Sequence, residues 1–191
     1  MGAATRPTIT TVCARVLAAA VAVWLAGGAA LAQECRNATV DVCFRPGPAS
    51  CLEQIVGLIN GAQRSVLVQA YNFTSPPIIQ AIGRAAERGL EVRVVLDKEN
   101  RKSRYTGATY LDNHGVPVRI DEKVAIAHNK VIIIDGEVVI GGSYNFTGNA
   151  EKRNAENVTI IRDRCVADQF VRNFEMRWQV STPYQRPSPT G

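Results

Sequence analysis

The residues with the clearest chemical potential lie in one stretch, residues 128–145, which reads H-N-K-V-I-I-I-D-G-E-V-V-I-G-G-S-Y-N. His128 is one of only two histidines in the chain, and Lys130 follows it at a spacing of two. Residues two apart on a β-strand point to the same face, which places these two side chains roughly 6 to 7 Å apart. That separation suits a phosphate group held between an imidazole and an ammonium group. The spacing therefore predicts a phosphate site.

A hairpin turn at Asp135-Gly136 determines which other side chains share a face with this pair. Asp-Gly is preferred in two-residue hairpin loops, because both residues tolerate the positive φ that the turn requires. A loop of these two residues pairs Ile134 with Glu137. Four polar side chains then share one face of the hairpin: His128, Lys130, Ser143 and Asn145. Asp135 itself would lie at the tip, roughly 20 Å away, so we expect it to make the turn and not to touch a substrate.

The first 32 residues have the composition of a secretory signal peptide. Arg6 and Arg15 are followed by the apolar run 16–25 and by the small residues Ala30-Leu31-Ala32, without any acidic residue. A charged region, an apolar core and an A-x-A site predict cleavage after Ala32 and an exported protein, periplasmic or secreted. A membrane anchor is the alternative, but the apolar run is short for a span of about 20 residues.

The cysteines also favour an oxidising compartment. The chain has five, and removal of residues 1–32 takes Cys13 with it. The remaining four form an even set, for which disulfides are the natural expectation in an exported protein. Three pairings are possible, and every one of them ties the N-terminal segment to Cys165, because Cys35, Cys43 and Cys51 are close together. Zinc is a weaker alternative, since no C-x-x-C pair is present.

The chain between residues 50 and 180 alternates helical and strand patterns. We predict an irregular arm over 33–49, broken by Pro46-Gly47-Pro48, and a disordered tail over 181–191, which contains three prolines. The helix-strand-helix-strand order over 50–96 predicts parallel strands joined by a right-handed crossover. The predicted fold is α/β, one domain with a mixed β-sheet sandwiched between helices. Its elements are helices over 50–60, 75–89, 108–114 and 165–180, and strands over 64–71, 90–96, 116–120 and 156–162, besides the hairpin.

A basic loop follows the second of these strands. Its cations and one aromatic residue are Lys98, Arg101, Lys102, Arg104 and Tyr105. Such a loop can contact a phosphate backbone while the aromatic ring stacks on a base. A solvated loop without a ligand is the simpler alternative. The chain carries a net charge of +5 and would lose two positive charges with the leader, which is only a mild excess.

The hairpin resembles the motif of the phospholipase D superfamily. The motif reads H-x-K, four residues, D, six residues and G-S-x-N, and it is met by His128, Lys130, Asp135, Gly142, Ser143 and Asn145. Other stretches are similar to the small exported endonucleases of that superfamily: residues 70–75, 95–97, 146–147 and 154–157. The resemblance thus extends over nearly all of the predicted mature chain.

This resemblance implies a site shared between two copies of the motif, where one histidine attacks phosphorus and the other protonates the leaving oxygen. The chain holds a single copy, because the other histidine, His114, has no partner lysine. A homodimer with both His128 side chains at one site is therefore implied. Lys130, with Ser143 and Asn145, would hold the phosphate oxygens. Glu156 matches the acid that orients the histidine in the family.

The scheme requires no metal and no cofactor, and the sequence shows no acidic cluster with metal-ligand spacing. The motif fixes phosphodiester chemistry but not the alcohol. A non-specific endonuclease acting on DNA, with RNA as a further candidate, is the first hypothesis. A phospholipase D that cleaves headgroups from phosphatidyl lipids is the second. A catalytically silent nucleic-acid-binding module is the third, and it predicts a degraded motif, whereas this motif is intact.

Overall fold

A computed structural model describes Gly2, residues 34–101 and residues 107–186. Apart from Gly2, the predicted signal peptide lies outside the described part, as do residue 33, residues 102–106 of the basic loop and the last five residues. Residues Cys35–Gly191 form one compact unit. Its strands are β1 (Thr39–Arg45), β2 (Ser65–Ala70), β3 (Glu91–Asp97), β4 (Val118–Asp121), β5 (Lys130–Ile134), β6 (Val138–Gly142), β7 (Glu156–Arg162) and β8 (Thr182–Pro183). Its α-helices are α1 (Cys51–Gly61), α2 (Pro76–Glu87), α3 (Gly107–Asn113), α4 (Gly148–Lys152) and α5 (Arg164–Val180), and a 3-10 helix spans Lys98–Arg101.

All eight strands join one mixed sheet in the order β1-β7-β6-β5-β2-β3-β4-β8. β2, β3 and β4 are parallel to one another, as the helical crossovers between them require, and the remaining pairs are antiparallel. Buried side chains of α1, α2 and α3 cover one face of the sheet. Ala167 and Phe174 of α5 cover the other face. The predicted sheet between helices is confirmed.

The hairpin turn forms as predicted, but the strand register differs by one residue. Asp135 and Gly136 have φ values of 57° and 66°, and the Glu137 N–H donates to the Ile134 carbonyl at 3.0 Å. The ladder, however, pairs Ile134 with Val138. The difference coincides with a contact just beyond the neighbouring strand β7, where the Asp163 N–H donates a hydrogen bond to the Glu137 carbonyl at 3.0 Å. Glu137 thus bonds to the residue after β7 and leaves the pairing with β5.

Both ends of the described fold are more regular than the sequence led us to expect. In place of an irregular arm, residues 39–45 form β1, which pairs with the whole of β7. In place of a tail disordered from residue 181, Thr182 and Pro183 pair with β4, and the Tyr184 hydroxyl lies 2.9 Å from that of Thr109. Tertiary contacts thus give regular structure to two segments whose proline content indicated an irregular arm and a disordered tail.

Two disulfides close the fold, and the prediction that all four cysteines pair is confirmed. Cys43 is bonded to Cys51 across a separation of 8 residues, and Cys35 to Cys165 across a separation of 130. The second bond fastens the N-terminal segment to the first turn of α5. Within the described ranges, no helix combines the length and the apolar character that a membrane span needs.

Candidate active site

Two adjacent strands hold the histidine and the lysine at one end of the sheet. Lys130, the first residue of β5, pairs with Ala70, the last residue of β2. The Tyr71 N–H donates to the Asn129 carbonyl at 2.9 Å, which extends this pairing by one residue. His128 consequently stands just beyond the sheet and is exposed, whereas Lys130 is only 7% exposed.

The two side chains are in direct contact. Lys130 Nζ lies 2.9 Å from each ring nitrogen of His128 and donates to the His128 carbonyl at 2.9 Å. The Tyr71 ring packs on the imidazole with 4.8 Å between ring centroids, and Lys130 Nζ lies 5.4 Å from the centre of the same ring. A cation over an aromatic face is attracted by the ring quadrupole. Tyr71 therefore positions both side chains.

Burial lowers the pKa of Lys130 below the ordinary lysine value, and the negative charge of Glu156 opposes this by raising it. The lysine is thus partly desolvated but has a carboxylate close enough to favour its charged form. An ammonium group held in this way stabilises the charge on a phosphate more strongly than a fully solvated one, because less water screens it.

Glu156 acts on the serine of the motif rather than on the histidine of its own chain. The Ser143 hydroxyl donates to Glu156 Oε2 at 2.5 Å, and the Asn154 amide donates to Glu156 Oε1 at 2.8 Å. The Asn157 N–H donates to Ser143 Oγ at 3.0 Å. The described contacts of Glu156 do not include His128, so the expected orienting role is not visible within one chain. Its visible effect is to fix Ser143.

Gly142 brings Ser143 and Asn145 to the site. With the observed register, simple alternation along β6 would place both on the sheet face opposite Lys130. Gly142 instead adopts a φ of +137° and ends the strand, so the chain changes direction there. A side chain at this position would meet the Asn157 carbonyl oxygen at 2.3 Å. The site geometry therefore depends on a residue without a side chain.

These residues surround one open cavity of about 490 Å³ at the end of the sheet. Five of the six predicted site residues line it: His128, Lys130, Ser143, Asn145 and Glu156. Phe170 of α5 also lines it, and the sequence analysis did not identify this ring as part of the site. His114 lies elsewhere, at the end of α3, where its ring nitrogen is 2.8 Å from the Tyr110 carbonyl.

Asp135, the sixth predicted residue, is at the far tip of the hairpin, where the sequence placed it. Its carboxylate accepts hydrogen bonds from the backbone N–H groups of Gln63, Arg64 and Ser65. Partial burial would raise the pKa of Asp135, but these N–H groups, with the charge of Arg64, outweigh it and leave the pKa below the ordinary value. Asp135 thus joins the turn to the start of β2.

A buried carboxylate behind the site supports the loop after β6, a role that the sequence did not reveal. Glu151 accepts hydrogen bonds from the Tyr144 hydroxyl at 3.1 Å, from Ser50 Oγ at 2.9 Å and from the Leu52 N–H at 3.1 Å. Arg45 Nε lies 3.4 Å from it and neutralises its charge. Burial, followed by the charge of Glu151, raises the pKa of Tyr144. The Tyr144 hydroxyl therefore keeps its proton and donates a hydrogen bond to Glu151. This contact fixes the chain between Ser143 and Asn145.

Comparison with known proteins identifies the family. Residues 55–178 match the family described as cardiolipin synthase, PLD-like domain. A phospholipase D of Rickettsia prowazekii is 43% identical over 144 residues, which cover 75% of this chain and 70% of that protein. A mitochondrial cardiolipin hydrolase of Xenopus tropicalis is 32% identical over 141 residues, which cover 74% of this chain and 67% of that protein.

A solved structure gives the same result. Nuc from Salmonella typhimurium, a phospholipase D family member, aligns with a TM-score of 0.73 and 34% sequence identity, covering 79% of this chain and 100% of Nuc. The matches in sequence and in fold agree on the class of protein, which is a phosphodiester hydrolase. More narrowly, the chain belongs to the phospholipase D superfamily, as the motif indicated.

Proposed function

We propose that this protein is a non-specific endonuclease that hydrolyses DNA, with RNA as a further candidate substrate. The observation that carries the proposal is a set of exposed cations in the chain segments that lead to residues lining the open cavity. Lys123 precedes His128 in the chain, and Lys152 and Arg153 precede Glu156. Within the described part of the chain, none of the three has an acidic partner, whereas Arg101 of the basic loop is paired with Glu122. Unpaired cations in segments that lead to a phosphodiester site favour a polyanionic substrate.

The chemistry proceeds through two displacements at phosphorus. A ring nitrogen of His128 attacks phosphorus and the bond to the leaving oxygen breaks, while His128 of a second copy gives its proton to that oxygen. Water then attacks the phosphohistidine, passes a proton to the second imidazole and releases the phosphomonoester. Lys130, Ser143 and Asn145 hold the non-bridging oxygens throughout, and no metal takes part in the scheme.

The second copy needs a docking surface near the site, and β1 offers one. Val40, Val42 and Phe44 are 54%, 57% and 58% exposed. Val40 pairs with Ile161, which packs below α5, so the three side chains extend the α5 face of the sheet. Phe44 pairs with Asn157, the residue that holds Ser143. An apolar strip that ends at a half-complete site fits a two-fold contact with an identical chain.

The dimer has a direct test. The double substitution Val42→Lys and Phe44→Lys should yield a folded monomer in sedimentation experiments, with loss of nuclease activity. Val180→Lys is the matched control, because Val180 is also exposed but is the last residue of α5, next to β8 at the opposite edge of the sheet. A wild-type enzyme that is monomeric and fully active would refute the shared site.

A phospholipase D acting on phosphatidyl lipids is the second candidate, and one observation favours it. The loop that leads into His128 exposes two apolar side chains, Val124 at 36% and Ile126 at 55%. Apolar residues next to a phosphodiester site can enter a lipid surface. The same chemistry would then release a headgroup alcohol.

One experiment separates the two candidates. Purified mature protein is incubated in EDTA with plasmid DNA and, separately, with phosphatidylcholine or cardiolipin vesicles, with His128→Ala as the control. We expect plasmid cleavage that depends on His128. Lipid cleavage without DNA cleavage would overturn the first candidate in favour of the second, and DNA cleavage that disappears in EDTA would contradict the metal-free scheme.

A further inference from the structure

A second cavity of about 370 Å³ adjoins the site. Its lining is rich in amide and hydroxyl side chains: Asn72, Thr74, Asn145, Thr147, Asn149 and Asn154. Asn145 also lines the cavity that contains His128, so the two spaces meet at this residue. We call the second space the amide groove.

The walls of the amide groove are held together by backbone contacts. Residues 72–74 follow β2 and residues 145–149 follow β6, and the two segments join where the Thr74 and Ser75 N–H groups donate to the Phe146 carbonyl at 2.9 and 2.8 Å. Below this junction the Phe73 and Phe146 rings pack edge to face, with 6.4 Å between centroids. Both rings are buried. The backbone that carries the groove is therefore fixed by contacts within the fold.

Three of its amides form no side-chain hydrogen bond with any residue that the structure describes. Among the described residues, the side chains of Asn72, Asn145 and Asn149 have no hydrogen-bond partner, and Asn145 Oδ1 is buried without one. Buried polar groups in proteins are normally paired, so an orphaned amide between two cavities indicates a place where a ligand supplies hydrogen bonds.

The chemistry of the lining selects the ligand. Amides and hydroxyls donate and accept hydrogen bonds, and among residues 34–101 and 107–186 no lysine, arginine, aspartate or glutamate lines the groove. Such a surface suits an uncharged group with several polar atoms, for example the sugar and base edge of a nucleotide. We propose that the amide groove binds the nucleoside adjacent to the phosphate that is cleaved at His128. This assignment rests on the proposed nuclease function.

The test compares phosphodiesters that share the p-nitrophenolate leaving group and that either carry a nucleoside or lack one. The substrates are the 3′- and 5′-(p-nitrophenyl phosphate) esters of thymidine and, as the reference, bis(p-nitrophenyl) phosphate. For the double variant Asn72→Ala/Asn149→Ala, the ratio of kcat/KM for the thymidine esters to that for the reference should fall about tenfold, as the loss of two hydrogen bonds predicts. Asn72 and Asn149 are both exposed, so the fold should persist. An unchanged melting temperature would show that the fold persists. The ratio of kcat/KM values is measured in the same way for Asn72→Ala and Asn149→Ala alone.

Asn113→Ala is the matched control, because Asn113 is an exposed asparagine at the end of α3, outside both cavities. If the double variant keeps the wild-type ratio with both esters while the wild type cuts DNA, the groove assignment is wrong and the nuclease proposal stands. If the wild type does not cut DNA at all, the nuclease proposal itself fails. A defect of the double variant confined to cardiolipin vesicles would mean that the groove holds a lipid headgroup and would also overturn the assignment.

Discussion

The contact between Lys130 and His128 places a partly desolvated ammonium group 2.9 Å from both ring nitrogens. A charge in this position can stabilise an incoming phosphate, provided that the lysine stays protonated. Burial lowers the pKa of Lys130, and the charge of Glu156 raises it. At the scale of single residues, Glu156 is therefore a positioning residue with two effects, one on the Ser143 hydroxyl and one on the charge of Lys130.

Replacing Glu156 should affect both the rate and its pH dependence. Glu156→Gln removes the charge that raises the pKa of Lys130, so that pKa falls further. Activity that needs charged Lys130 is then lost at a lower pH as the pH rises. We expect kcat to fall roughly 10- to 100-fold and the alkaline limb of the pH–rate profile to move to lower pH.

Glu53→Gln is the matched control, since Glu53 is an exposed acid on α1. An unchanged pKa of Lys130 in Glu156→Gln, followed by NMR of its side-chain ammonium group, would mean that Glu156 does not control the charge of Lys130. The pH–rate profile distinguishes this role from a structural one, which would lower the rate equally at every pH.

At the scale of elements, the hairpin shows which parts of the site could be predicted from the sequence and which could not. The turn at Asp135 and the participation of His128 and Lys130 follow from residue type and local spacing. The register does not, because the hydrogen bond that coincides with the shift comes from Asp163, on a connection 26 residues further along the chain. Strand alternation predicted that Ser143 lies at the site. In the structure Ser143 does lie there, but the φ of Gly142 is what places it.

Gly142→Ala should test that explanation. A Cβ atom would meet the Asn157 carbonyl oxygen at 2.3 Å in a backbone conformation that side chains disfavour. We expect a loss of stability of about 1–3 kcal/mol and a larger proportional loss of activity, as Ser143 moves. Gly57→Ala on α1, where a Cβ meets nothing within 4 Å, should be neutral or stabilising. Wild-type activity in Gly142→Ala would contradict the explanation.

Replacing Asp135 should change the stability of the fold without changing the active site, because Asp135 lies at the far tip of the hairpin. Its pKa is lowered in the folded state, so its contribution is present above the unfolded-state pKa and is lost as the pH falls through the folded-state value. Asp135→Asn should therefore lower the free energy of unfolding at pH 7 by about 1–3 kcal/mol, with a smaller difference towards pH 3. Denaturant titrations at several pH values measure this. A difference that is constant with pH would exclude the carboxylate charge as its source.

At the scale of the whole molecule, the ends of the chain were the least predictable parts. The alternation Val40-Asp41-Val42-Cys43-Phe44 is a strand pattern, but the prolines after it favour a loop. Its partner β7 lies more than a hundred residues away in the chain. β8 is only two residues long, which is too short for any periodicity. Both strands lie at the edges of the sheet, where tertiary pairing decides the structure.

The two disulfides should contribute unequally to stability. In the chain-entropy account, a bond that closes a longer loop restricts the unfolded state more. The double variant Cys35→Ser/Cys165→Ser should therefore lower the free energy of unfolding by about 2 kcal/mol more than Cys43→Ser/Cys51→Ser does. Denaturant unfolding of the two variants is the measurement. Equal losses, or a larger loss for the short loop, would show that local packing outweighs loop entropy here.

The Cys35–Cys165 bond also sets an order of events during biosynthesis. Its two cysteines are 130 residues apart, so the bond cannot close until almost the whole catalytic domain has been synthesised. Compartments rich in reducing thiols keep such a bond open. For the proposed nuclease, exported as the sequence predicts, the last link of the fold would then form only where the genome of the producing cell is out of reach.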